Sequence, residues 1–131
     1  MTLAIDASLA TLICLTHFII YPSFHYISAS DFSRWHDQYT RMMGYIAGPL
    51  MIAQLALSIQ SIFSTQSIAQ SIKLLLITLI WLSTFLQLVP LHRQLQTQGK
   101  SQKRIDQLIS KNRIRLVLWL ALLFLQILQI Q

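Results

Sequence analysis

Residues 74–90 read LLLITLIWLSTFLQLVP, and residues 91–115 read LHRQLQTQGKSQKRIDQLISKNRIR. An uncharged apolar run of that length is what a helix needs to cross roughly 30 Å of hydrocarbon at about 1.5 Å per residue. The stretch after it gathers Arg93, Lys100, Lys103, Arg104, Lys111 and Arg113, with Arg115 just beyond. A basic segment directly after an apolar one is the mark of a loop retained on the cytoplasmic side.

Three further apolar stretches run about Ala7–Ala29, Met42–Phe63 and Ile114–Gln131, and Leu74–Pro90 lies between the last two. They lack the strict alternation of outer-membrane strands, so they predict helices. The composition agrees. The chain has 131 residues, of which 54% are hydrophobic and only 11% charged, and its mean hydropathy is +0.55. A soluble domain carries about 25% charged residues. That excludes an ordinary soluble globule, a disordered chain and a disulfide scaffold; Cys14 is the single cysteine. The expectation is one all-α domain over residues 1–131, an up-and-down four-helix transmembrane bundle.

Arg34 and Arg41 lie in the first connection and seven cations in or beside the third, the basic loop 92–113, which leaves only Lys73 of the ten at the other face. The positive-inside bias places both basic connections in the cytoplasm and both termini outside, in a plasma (bacterial inner) membrane. No Lys or Arg precedes the first apolar run, so it reads as a retained span rather than a cleavable signal. Ile105, Leu108, Ile109 and Asn112 recur at helical spacing, which predicts a short amphipathic helix on the inner leaflet. The net charge of +6 does not point to nucleic acid, because no aromatic residue is interleaved between Arg93 and Arg115. No internal repeat of matching motifs stands out.

Gly44-x-x-x-Gly48 opens the second span and suits close helix packing, within the chain or across a homo-oligomer. Pro22, Pro49 and Pro90 free the carbonyls of Phe18, Tyr45 and Leu86. Pro90 is expected to end its helix, whereas Pro22 and Pro49 are expected to kink theirs and widen the cytoplasmic half.

Polar residues at membrane depth face the interior and are functional candidates by default. His17, Tyr21 and His25, spaced i, i+4, i+8, form one stripe on the first helix, and His17 and Tyr21 are the candidate catalytic pair. Gln54, Gln60, Gln87 and Gln126 could share that interior, and Arg115, Trp119, Leu122, Gln126 and Gln129 trace one face of the fourth span. Gln54, Pro22, Pro49, Trp119 and Gln126 are the expected pocket residues. Interhelical hydrogen bonding alone would also explain the glutamines.

His17 and His25 stand about 12 Å apart along a helix and cannot share one ion. His25, His36 and His92 each fall at the cytoplasmic end of a helix, so they could converge on a metal ion with Asp31 or Asp37 nearby. Copper, iron and zinc all suit histidine. The competing reading is three separate interfacial histidines, with Asp37–Arg41 an ordinary helix pair. A mid-membrane haem on His17 would lack a second histidine within the chain. With no glutamate, a ferritin-like site is excluded, and no acid falls within an expected span core to couple transport to protons or sodium. Neither a nucleophile elbow, a Walker loop nor C-x-x-C is present, and Cys14 sits in apolar surroundings that suppress thiol reactivity.

Val89-Pro90-Leu91-His92, followed by Asn112-Arg113-Ile114-Arg115 at the start of the last span, resembles the anthrone-oxygenase-like family of small four-helix membrane proteins. In that family a Pro-Leu-Asn turn closes the third helix and an Asn-x-x-Arg element opens the fourth. Pro90, Leu91, Asn112 and Arg115 carry the likeness; His92 stands where the family has asparagine. The likeness covers about a third of the chain. It implies oxygenation of polycyclic aromatic compounds, although many members of the family have no known activity. Two functions are therefore in view. One is a histidine-dependent oxidoreductase or oxygenase acting on a lipophilic aromatic or quinone-like molecule. The other is a non-catalytic accessory or assembly subunit of a larger membrane complex. Convergence of the histidines would favour the first.

Overall fold

The computed structural model describes residues 1–129; the last two residues of the expected fourth span lie outside the described residues. Over the described residues the chain is all-α and 90% helical, in four helices. We number them α1 (Thr2–Ser23), α2 (Ala29–Ser64), α3 (Ile68–Gln98) and α4 (Gln102–Leu128). The first three are long and apolar enough to cross a membrane. In α4 every window of 18 residues includes Lys111, Arg113 and Arg115, so it does not reach the same standard by composition.

The helices overrun the apolar stretches that announce them. α2 has 36 residues, about 54 Å of helix, and absorbs the expected connection 30–41. Ser28 starts it by accepting a hydrogen bond from the Asp31 amide at 3.3 Å, the usual N-cap arrangement. Ser67 and Ser101 cap α3 and α4 in the same way. α3 continues through Pro90 to Gln98 and stops at Gly99, whose φ of 79° suits a residue without a Cβ. Pro90 therefore does not end its helix, contrary to expectation.

Two wider turns interrupt the regular helical pitch. Thr16–Ile20 in α1 and Thr84–Leu88 in α3 are π-turns. Each is followed by one residue and then a proline, Pro22 and Pro90. The Tyr21 and Val89 amides bond five residues back, to the carbonyls of Thr16 and Thr84. Each threonine also donates its hydroxyl to the carbonyl four residues earlier, Leu12 at 2.8 Å and Ile80 at 2.7 Å. A proline ring clashes with the carbonyl four residues before it and leaves it unbonded; a wider turn just ahead of the ring accommodates both effects. The sequence thus holds a matched device, Thr-x5-Pro, too short to stand out as a repeat.

α1 packs against α2 and α4, and α3 also packs against α2 and α4. One core draws on all four helices through Leu9, Ile13, Met51, Ile77, Ile80, Leu116, Trp119 and Leu122. A second core joins Tyr21, Phe24, Phe32, Leu88, Leu91, Leu95, Ile105 and Leu108. The second corrects the reading of the basic segment. Ile105 and Leu108 are fully buried against protein, and residues 102–113 are the first part of α4 rather than a separate helix on the leaflet. Lys100 fixes this end by donating to the carbonyls of His25 and Ile27 at 2.7 and 2.6 Å.

Candidate functional site

Beyond its apolar stretch α2 turns one face inward with Phe32 and His36 buried and Tyr39 half-buried, and α3 does the same with the half-buried His92 and Gln96, one helical turn apart. Where these faces meet α1, the polar groups join end to end. Gln96 Nε2 donates to the Ser33 carbonyl at 3.1 Å, which fixes the orientation of the amide. Its Oε1 lies 2.9 Å from His36 Nδ1. An amide oxygen only accepts, so His36 Nδ1 carries the proton and a neutral His36 presents bare Nε2. That nitrogen is 2.9 Å from His92 Nδ1, which must donate. His92 Nε2 is then an acceptor, and the Tyr21 hydroxyl donates to it across 3.0 Å. One anchored amide sets the direction of every bond in the chain Tyr21→His92→His36→Gln96→Ser33.

Rings hold this chain in place. Phe32 stacks on His36 with centroids 5.3 Å apart, His92 lies 5.1 Å away on a nearly parallel plane, and Phe24 meets His36 edge-on at 5.6 Å. Tyr39 packs within 6.3 Å of His92. His36 has no solvent exposure.

The chain runs along the wall of a cavity of about 740 Å³ between α2 and α3, which Tyr21, His92, His36 and Gln96 all border. Tyr21, His36, His92 and Arg115 form its polar end, and Met51, Ile52, Trp81 and Phe85 part of its apolar body. A volume of that order holds one small lipophilic molecule. A smaller cavity of about 70 Å³ shares Tyr21, Tyr39 and Arg115 with it. At the other end of the chain, Gln96 also borders a surface groove with Ser33, Arg34, Asp37 and Arg41.

Several expected site residues lie elsewhere. His17 is buried beside Phe18, with Nδ1 unbonded, and does not border the cavity. The π-turn makes the fifth residue back, Thr16, the one that shares a cavity wall with Tyr21, so the i, i+4 stripe is broken. His25 is drawn to α4 by Gln102 and by Asp106 at 3.1 Å, away from His36 and His92. Asp31 pairs with Arg34 and Asp37 with Arg41. The expected metal ligands are therefore not assembled, and no group of three His, Cys, Asp or Glu is placed to hold an ion among the described residues.

Of the expected pocket residues, Trp119 borders only the smaller cavity, and Pro22 and Pro49 border neither. Gln54 donates to Asp6 Oδ1 at 2.7 Å, and Gln126 accepts from Lys73. Asp6 is buried, because α1 begins at Thr2 rather than near Ala7, so an acid does lie inside a span. Gly44 and Gly48 border the large cavity, and a Cβ on either would meet nothing within 4 Å. They make no close helix contact within the chain; their missing side chains open the cavity instead.

Pro90 follows the α3 π-turn, Leu91 is buried beside it, and Arg115 Nη1 donates to Asn112 Oδ1 at 3.0 Å. Sequence reasoning missed Tyr39 and Gln96. The i, i+4 pairs His92/Gln96 and Leu91/Leu95 were the available signal, obscured by the assumption that the helix ended at Pro90. Compared with known proteins, the chain matches no protein-family model, no curated sequence and no solved structure.

Proposed function

We propose that the chain crosses a plasma membrane four times as an up-and-down bundle, with both termini outside, and acts on a lipophilic aromatic or quinone-like molecule bound between α2 and α3. One observation carries this reading: a hydrogen-bond chain of fixed direction ends with the Tyr21 hydroxyl at the wall of a largely apolar cavity. Tyr21 gives its proton to His92, so its oxygen still has a lone pair with which to accept one from a ligand hydroxyl. The ligand proton then passes to Tyr21, the Tyr21 proton to His92 Nε2, and the His92 Nδ1 proton to His36 Nε2. His36 ends as imidazolium, held by the Gln96 carbonyl, and the ligand is left deprotonated. Removal of a hydroxyl or enol proton prepares a quinol or phenol for oxidation by a separate electron acceptor such as dioxygen, so the arrangement would serve an oxidoreductase or oxygenase. Imidazole is the side chain best suited to such transfer near neutral pH.

The resemblance to the anthrone-oxygenase-like family supports the same reading, since Pro90, Leu91, Asn112 and Arg115 all lie at or beside this site. A decyl-substituted benzoquinol added to the protein in lipid nanodiscs should quench Trp fluorescence, because Trp81 borders the cavity. Gly48→Leu, which fills the cavity, should weaken binding about tenfold or more. Infrared difference spectra of histidine-labelled protein should show imidazolium when a more acidic phenol, nitronaphthol, is bound, and Tyr21→Phe should remove that signal without abolishing binding. Binding indifferent to Gly48→Leu would sink the proposal and favour the accessory-subunit reading.

A further inference from the structure

The hydrogen-bond chain gives Tyr21, His36 and His92 their roles but leaves Arg115 without one. The residue is only 9% exposed and borders both cavities. One N–H is taken by Asn112, and Nε has no partner in the protein. The chain has four acidic residues and no glutamate. Each acid is engaged elsewhere: Asp6 by Gln54, Asp31 by Arg34, Asp37 by Arg41 and Asp106 by His25. Among the described residues, no carboxylate balances Arg115.

A buried cation without a counter-charge is penalised heavily by lost hydration. Guanidinium also presents several donors in one plane, suited to an anionic oxygen. We propose that the cavity holds its ligand as an anion, a lipophilic aromatic or enolic weak acid whose ionised oxygen rests on Arg115. This deepens the function proposed above and rests on the cavity being a ligand site. The two halves of the site then act on one bond. The O–H proton leaves through Tyr21 and His92 to His36, and the electron pair of the broken bond stays on the ligand oxygen beside Arg115. Aromatic walls, with Tyr21 and Tyr39 at the polar end and Trp81 and Phe85 along the body, suit a ring in preference to a flexible chain.

The test uses the full chain in nanodiscs, with nitronaphthol as a coloured weak acid and its methyl ether as a shape-matched ligand that cannot ionise. Absorbance titration of bound nitronaphthol should show ionisation about one pH unit or more below that in protein-free nanodiscs. The ether should bind about tenfold more weakly than nitronaphthol. Arg115→Gln should erase the ionisation shift, and Arg115→Lys, which keeps the charge, should retain part of it. Should Arg115→Gln fail to fold, the lysine variant and the wild-type comparison of the two probes still decide. Equal binding of both probes with no ionisation shift would overturn the anionic ligand while leaving the cavity reading intact. Failure of both probes to bind, with Gly48→Leu indistinguishable from wild type, would remove the cavity reading and this inference together.

Discussion

Both ring nitrogens of His92 are engaged, Nε2 by Tyr21 and Nδ1 by His36. Only a side chain that accepts at one atom and donates at another, and exchanges the two roles when a proton passes, can sit at that point. His92→Asn should leave benzoquinol affinity within a few-fold of wild type. It should also abolish the imidazolium signal, because an amide does not relay a proton. Persistence of that signal would show that the route avoids His92. At the other end of the helices, Asp6→Ala would strand the buried Gln54 amide and remove the opposite charge within electrostatic reach of Lys73. A loss of about 1–3 kcal/mol in unfolding from mild detergent is expected. Unchanged stability would show that water satisfies these groups. The histidines were visible in the sequence, but their grouping was not. His36 and His92 meet only because both helices run past their apolar stretches, and His25 leaves because Asp106 and Gln102 lie closer to hand.

At the scale of the element, each π-turn adds a residue and so turns one part of the helix about 100° against the other. In α3 this lets Ile77 and Ile80 face one core while Leu88, Leu91 and His92 face the second core and the site. Deleting the exposed Leu86, combined with Pro90→Ala, should restore a regular helix with both faces still aligned, and the protein should fold. Deleting Leu79, which lies outside the π-turn, should turn the whole following segment off its partners and abolish folding, read by size-exclusion profile. Equal tolerance of the two deletions would rule out this account. Periodicity alone missed the effect, because a rule of i, i+4 assumes a helix of constant pitch. That assumption selected His17 where the structure presents Thr16. The two threonine–proline spacings were legible in the sequence; their meaning needed the backbone.

For the whole molecule, apolar runs and charge placement indicated an all-helical membrane protein, since both act over many residues and average out local error. The ends of the helices were misplaced because hydropathy reports where lipid is tolerated, whereas helix continues wherever one face finds protein. Single cysteines on a Cys14→Ser background test the orientation. Gln98→Cys should react with an impermeant thiol reagent only from the cytoplasmic side, and Gln66→Cys only from the outside. The reverse pattern would invert the bundle. The end of the hydrogen-bond chain has a consequence of its own. Gln96 separates His36 from the surface groove, and an amide neither takes up nor releases a proton at ordinary pH. Under the proposed relay the interior behaves as a capacitor rather than a wire: it stores a single charge and must be discharged before it accepts the next.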